Sequence, residues 1–322
     1  MLDAALIDQA ALALEGLARH TPIEESPALS EALGVPVALK LECLQVTGSF
    51  KLRGAVFALS RLGPEARAGG VVACSAGNHG KALAWAGHRL GVPVRVWVPR
   101  TADESKVRGM LRHGAEVQVA DTNSYDEAEA LARADATALG RPFVSAFEDE
   151  AVMAGNGGTL GREILADVPG VANVLLPVGG GGMAAGMALA FEHAGAPVRM
   201  IACQHDGSPA FALSLERGRA VTRLPGIETM AGGLEGGMGA TNFELLKGRV
   251  REAVRCTEDE ILQAVAWTLG EHHLLVEPSA AVTVAACHSG RLPRLDGPTV
   301  VVLSGRNLGV TGLRRILQRD LL

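Results

Sequence analysis

The sequence predicts an α/β fold made of two parallel-sheet domains with the active site in the cleft between them. Its 322 residues suffice for about two hydrophobic cores. Short β-branched runs alternate with helical patterns along the chain, which argues for parallel sheets covered by helices. One block of such units, residues 62–149, reads as a small domain inserted into a larger one formed by 1–61 and 150–322.

The elements follow in order. The N-terminal stretch MLDAALIDQAALALEGLARH spaces Leu6, Ala10, Leu14 and Leu17 on one helical face. It carries Asp3 and Asp8 where a secretion signal would be basic, so it reads as a structural helix. Val37–Leu41 is a strand leading through Gly48 into a helix that starts near Lys51. In the inserted block, strands at Val71–Cys74, Val94–Val98 and Glu116–Val119 alternate with helices near His79–Leu90, Glu104–Arg112 and Tyr125–Leu139. A short strand at Phe143–Ser145 closes the block. The larger unit then resumes with helices near Leu160–Asp167 and Met183–His193 and strands at Asn173–Val178 and Val198–Cys203. Helices at Glu258–Glu271 and Ala280–His288 precede a last strand, Thr299–Leu303. Residues 205–255 show few regular periods, and no element is assigned there. Little chain follows the last strand, so no C-terminal regulatory domain is expected.

Composition narrows the function. Hydrophobic residues make up 48% and charged residues 20%, as in a globular enzyme, and the net charge of −5 favours neither nucleic acid nor an anionic membrane as partner. Aromatics at 3% leave no base-stacking platform. No apolar run approaches the ~18 residues that span a bilayer. The five cysteines are scattered without a Cys-x-x-Cys pair, as expected of small buried side chains in a reducing compartment, so a cytoplasmic location is predicted.

Four segments carry chemistry. GSFKLRGA (48–55) places Lys51 at the start of a helix, and only five of the chain's thirty basic residues are lysine. A primary amine forms a Schiff base and a guanidinium does not. A helix N-terminus and partial burial both disfavour the ammonium form. The plain alternative is a surface lysine. PVGGGGMAAG (177–186) joins a buried strand to a helix, and its four glycines let backbone amides converge at the helix's positive end, as a phosphate requires. It also fits G-x-G-x-x-A through Gly179, Gly181 and Ala184, which keeps a dinucleotide-dependent oxidoreductase open. Against that, the next strand ends Cys203-Gln204-His205-Asp206, with no acidic residue at its tip. SAGNHGKALA (75–84) offers Ser75, Asn78 and a row of amides, either a carboxylate nest or an ordinary capping turn. VVLSGRN (301–307) ends a strand on Ser304.

A lysine for a Schiff base, a phosphate cradle, an amide nest and a strand-end hydroxyl together specify pyridoxal phosphate. The chain resembles the threonine/serine dehydratase and serine racemase group of fold-type II pyridoxal phosphate enzymes, whose architecture is tryptophan synthase β-like. The likeness runs from TPIEESPALSEAL (21–33) through LKLECLQVTGSFKLRGA (39–55) to VEPSAAV (276–282) and SGRN (304–307). It implies that Lys51 holds pyridoxal 5'-phosphate as a Schiff base and Phe50 packs against the ring. It further implies that Asn78 bonds the phenolic oxygen, that Gly179, Gly180, Gly181, Gly182 and the Met183 amide hold the phosphate, and that Ser304 faces the pyridine nitrogen. Ser75, Asn78 and His79 would hold the substrate carboxylate, and Glu277 would lie near the cofactor. The implied reaction is α,β-elimination from a β-hydroxy-L-amino acid, giving a 2-oxo acid and ammonia. The resemblance also implies a homodimer.

Departures from the group's pattern sharpen this expectation. Serine racemases of the group have a second serine where this chain has Ala76, which favours elimination over racemisation. CQHDGSPAFA (203–212) has Gln204 and Ala210 where a divalent-cation site would place acids, so no metal is expected, and His205-Asp206 reads as a surface pair. AGNGGT (154–159) carries an extra glycine. Lys81 stands where glutamine is common, and Arg306 where a small residue is usual. In the loop TMAGGLEGG (229–237), Gly232 replaces the commoner Asp, which enlarges the pocket if that loop borders the substrate. The expected substrate is threonine, serine or, with that space, a bulkier β-hydroxy amino acid such as a phenylserine or a hydroxyaspartate, with Arg306 favouring an aromatic or acidic group.

Overall fold

The computed structural model describes residues 2–102 and 104–319. Among these residues nine strands run in chain order: β1 (Ile23–Glu25), β2 (Val37–Lys40), β3 (Val71–Cys74), β4 (Val94–Val98), β5 (Glu116–Val119), β6 (Asn173–Pro177), β7 (Arg199–His205), β8 (Glu252–Cys256) and β9 (Thr299–Val302). They form a six-stranded sheet of order β1-β2-β9-β6-β7-β8 and a three-stranded sheet of order β3-β4-β5. Every pairing is parallel except β1 with β2. The central strand β9 reads TVVV and is buried throughout, as a parallel strand covered on both faces must be.

Two apolar cores flank the larger sheet. One gathers helix Gly182–His193 through Met183, Met187 and Phe191, and the other gathers helix Pro278–His288 through Ala281, Val282 and Ala285. A third core lies on the smaller sheet. Helix Lys51–Ser60 sends Leu52, Ala55, Val56 and Leu59 into that third core, beside Val71, Leu83 and Val96, while its Phe57 packs in the first. The helix that begins at Lys51 is therefore shared between the two sheets, although the sequence reading places it wholly in the larger unit.

Arg53 fixes this helix. It is 1% exposed and forks between Glu42 (2.8 Å) and Glu163 (2.6 Å), while the fully buried Lys40 bonds Glu163 (2.9 Å) and Asp167 (2.8 Å). Such a network makes each charge depend on its partners, since a buried charge left unpaired is costly. The guanidinium holds the Glu42 carboxyl below its usual range despite a burial that pushes it up.

Two expectations of secondary structure change, and a third feature finds its place. Phe143–Ser145 is not a strand, because only Phe143 pairs, with Val72, and the Ser145 hydroxyl then takes the amides of Phe147 (3.4 Å) and Glu148 (3.1 Å) in a turn. Residues 205–255 contain helices Ala210–Arg217 and Ala240–Leu246 and most of the edge strand β8. The extra glycine of AGNGGT is absorbed by a π-helical turn, Ala154–Gly158, which takes one more residue per turn than an α-helix. Side chains do not fit there: a Cβ on Gly157 would lie 1.9 Å from the Met183 carbonyl, and one on Gly155 would lie 2.7 Å from the Arg53 carbonyl.

Candidate active site

Lys51, the first residue of its helix, donates from Nζ to the Ala146 carbonyl at 2.7 Å and lies 5.2 Å from the Phe50 ring centroid. Burial of the ammonium lowers its pKa to about 8. The next residue, Phe147, meets the tetraglycine bend. A Cβ on Gly180 would lie 2.5 Å from the Phe147 ring, and one on Gly182 would lie 2.5 Å from the Phe147 carbonyl. The amine and the bend, some 130 positions apart in sequence, are thus joined through two adjacent residues.

The bend needs its glycines. Gly181 has φ +88, a left-handed conformation that side chains resist, and a Cβ on Gly179 would fall 2.0 Å from the Gly233 carbonyl. Helix Gly182–His193 makes its first internal bond from Ala185 N to Gly181 O (2.9 Å), so the amides of Gly182, Met183 and Ala184 have no acceptor within the helix. Asn242 braces the bend by donating to the carbonyls of Gly180 (2.7 Å) and Phe147 (2.9 Å). It falls in the stretch where the sequence shows no element, and no local signal marks it.

The opposite wall comes from the strand end after β9. The Phe50 amide donates to the Ser304 carbonyl (3.1 Å), and Ser49 bridges to Gly305. Asn78 donates to Glu277 Oε1 (2.5 Å), Asn307 donates to Asn78 Oδ1 (2.6 Å), and the Asn307 amide donates to Glu277 Oε2 (3.1 Å). Lys81 Nζ completes the chain on Asn307 Oδ1 (2.7 Å). Burial raises the Glu277 pKa, against the pull of the Asn78 hydrogen bond and the Lys106 charge. Asn307 stands in the SGRN motif, yet its linking role is legible only in three dimensions.

Ser75 is buried, and its hydroxyl takes the Gly77 amide (3.2 Å), an Asx-like turn before helix Asn78–Leu90. The first internal bond of that helix, Lys81 N to Gly77 O (3.2 Å), leaves the amides of Asn78, His79 and Gly80 as donors at its positive end. The His79 ring turns inward: it is 2% exposed and its Nε2 donates to the Val144 carbonyl (3.3 Å), which makes Nδ1 the acceptor. Burial first, and then the Lys51 charge, lower its pKa to about 3, so the ring stays neutral. Only its backbone faces a nest.

His205 is not a surface residue. It is 6% exposed, bonds Glu258 (3.0 Å), and Glu258 in turn receives the Thr229 hydroxyl (2.6 Å) and the Met230 amide (2.9 Å), anchoring the loop that carries Gly232. Among the described residues His20, Glu163 and Asp167 bring three ligand atoms together, but the Lys40 ammonium sits on both carboxylates, as an ion pair and not as a cation site.

A family model described as pyridoxal-phosphate dependent enzyme matches residues 14–305. The chain belongs to the pyridoxal-phosphate dependent enzymes. Within that family it falls in the threonine dehydratase–serine racemase group. It is 39% identical to an L-threonine ammonia-lyase of Geobacter sulfurreducens, over 100% of this chain and 79% of that protein. Serine racemase of maize has the same fold, with a TM-score of 0.92 at 26% identity over 98% and 96% of the two chains. The processed threonine deaminase isoform 2 of Solanum lycopersicum follows at 0.87 and 28%, over 98% and 88%. No dinucleotide site is needed to account for the glycine run.

The site fits pyridoxal phosphate on its own geometry. A cradle that any Cβ would fill lies beside a buried amine, and the buried Ser49 Oγ, two positions before that amine, and Asn242 Oδ1, on the residue that braces the bend, have no hydrogen-bond partner among the described residues. Because the neutral amine is the reactive form, covalent uptake of the cofactor by cofactor-free enzyme is expected to accelerate as pH rises toward 8 and to level off above it. Stopped-flow absorbance between about pH 6 and 10 checks this, and a flat profile would remove Lys51 as the titrating group.

Proposed function

We propose that this protein is a pyridoxal-phosphate dependent dehydratase that converts a β-hydroxy-L-amino acid to a 2-oxo acid and ammonia. The observation that carries the reading is the Lys51 amine at the Ala146 carbonyl, one residue from the glycine cradle. When bound, the cofactor supplies a conjugated ring that withdraws electrons from the substrate's α-carbon. The cradle amides of Gly179–Met183 would hold its phosphate, Asn78 its phenolic oxygen, and Ser304 its ring nitrogen. Lys51 would take the α-proton, and a pKa near 8 suits an amine that must both accept and release it. The amides at Asn78 and His79, with Ser75, would orient the substrate carboxylate. His79 stays neutral and adds no charge there.

The small sheet and its helices, 62–149, would act as one unit closing on the larger one, since the site takes Asn78 from the first and Glu277 from the second. A homodimer in the cytoplasm is the assembly and location we infer from the family. Incubation with threonine, serine, phenylserine and 3-hydroxyaspartate, with 2-oxo acid and ammonia measured together, tests the reading. Release from none of them would sink it.

Ala76 lies in the turn between β3 and the Asn78 helix and has no hydroxyl, so it would leave the face of the α-carbon opposite Lys51 without a proton donor. D-serine formation from L-serine is therefore expected to run at less than about a tenth of the deamination rate. Chiral chromatography of the reaction mixture checks it, and Ala76→Ser is expected to raise the D-serine share.

A further inference from the structure

Lys81 holds one end of a hydrogen-bond chain that runs in a single direction. Its Nζ donates to Asn307 Oδ1 (2.7 Å), Asn307 Nδ2 donates to Asn78 Oδ1 (2.6 Å), and Asn78 Nδ2 donates to Glu277 Oε1 (2.5 Å). The two ends decide that direction. An ammonium has donors and no lone pair, and an ionised carboxylate has acceptors and no donor. Between them stand two side-chain amides, each of which keeps its shape when turned over. Turning Asn307 over would set its NH2 against the Lys81 ammonium. It would also set its oxygen against the Thr47 carbonyl, which now accepts from Asn307 Nδ2 (3.0 Å). Gly48 makes room for the arrangement, since a Cβ there would lie 2.8 Å from Asn307 Oδ1. Burial lowers the Lys81 pKa and the Glu277 charge opposes that, so the two ends of the chain support each other's ionised forms.

Lys81 and Asn78 lie three residues apart on helix Asn78–Leu90, so both reach the same Asn307 in the loop after β9. With its oxygen held by Asn307 and one N–H by Glu277, the Asn78 side chain has one polar hydrogen left. No acceptor among the described residues takes it. A glutamine at position 81 would carry both a donor and an acceptor, and would let the chain run either way.

We propose that Lys81 is a positioning residue: by donating to Asn307 it fixes the Asn78 amide with its nitrogen, not its oxygen, free for the phenolic oxygen of the cofactor. This rests on the reading in which Asn78 bonds that oxygen, and adds what orients it. Lys81 acts through Asn307 and not on the cofactor itself. The amide turned the other way would set one oxygen against another, so its orientation counts for as much as its presence.

Calorimetry on the full chain freed of cofactor tests this with pyridoxine 5'-phosphate and its 3-deoxy analogue. Neither has an aldehyde, so Lys51 forms no Schiff base with them, and they differ only in the phenolic oxygen. The parent is expected to bind pyridoxine 5'-phosphate about tenfold more tightly than the deoxy analogue. That ratio is expected to fall below about threefold in Lys81→Met and to stay at about tenfold in Lys81→Arg, which again only donates. A lysine that merely packed would change both affinities alike and leave the ratio where it was. Thermal denaturation identifies a variant that fails to fold. If Lys81→Met does so, Lys81→Gln is read in its place, with the ratio expected to be about halved or less. A ratio equal to the parent's in the folded variant overturns the inference and leaves Asn78 at the phenolic oxygen. No preference in the parent overturns both, while the dehydratase reading still stands or falls on release of 2-oxo acid.

Discussion

Lys51→Ala is expected to lower turnover about a thousandfold or more, the largest effect of any single substitution in this chain. One side chain is asked to do two things, to tie down the cofactor and to move the α-proton, and alanine does neither. The loss should not come from misfolding. Lys51 makes one side-chain hydrogen bond, to the Ala146 carbonyl, whereas the helix it begins is held by Arg53 and by Leu52, Ala55, Val56 and Leu59. Borohydride followed by mass spectrometry of the digested protein should fix the cofactor to residue 51 in the parent and leave it unattached in the variant. Lys51→Arg keeps the charge and should fare no better, because a guanidinium does not condense with an aldehyde at neutral pH. A Lys51→Ala enzyme within tenfold of the parent rate would remove this residue from the mechanism.

What the sequence made legible and what it hid divide along one physical line. Lys51, Gly179–Gly182, Ser75–His79 and Ser304 stand out because each sits where a strand gives way to a helix or a loop, and the demands there are local: an amine at a helix start, amides free of side chains. Phe147, Asn242 and Asn307 carry no such signal. Their importance is a matter of which distant backbone they meet, as when Asn242 reaches two carbonyls 62 and 95 positions away. The same distinction explains the fold. β-branched runs bounded by glycine are plain in β3, β4 and β9, whereas β1 at one sheet edge has three residues and β8 at the other reads EAVRC, charged and apolar residues mixed, so neither offers an apolar run to read. His205 misled for the opposite reason, since a polar pair at a strand end looks exposed until the Glu258 carboxylate that buries it is seen.

The second large effect is expected at the cradle, and it turns on a comparison between two glycines. Gly179→Ala would set a methyl 2.0 Å from the Gly233 carbonyl, and that carbonyl belongs to backbone, which cannot swing aside as the end of a side chain can. Either the 229–237 loop retreats or the bend opens, and in both cases the amides lose their convergence on one point. Cofactor affinity is expected to fall about 100-fold, because overpacking of this kind typically costs a few kcal/mol. Gly236→Ala supplies the control, since a Cβ there meets nothing within 4 Å and the residue lies in the same loop. Equilibrium titration of cofactor-free protein, followed by absorbance, reads both variants, and thermal denaturation of the cofactor-free forms shows whether either has lost its fold. If Gly179→Ala binds pyridoxal phosphate as tightly as Gly236→Ala while melting at the same temperature, the phosphate is not held at this bend. Lys51 would then need a different partner for the far end of its cofactor, and the tetraglycine run would be a matter of packing against Phe147 and Gly233 alone.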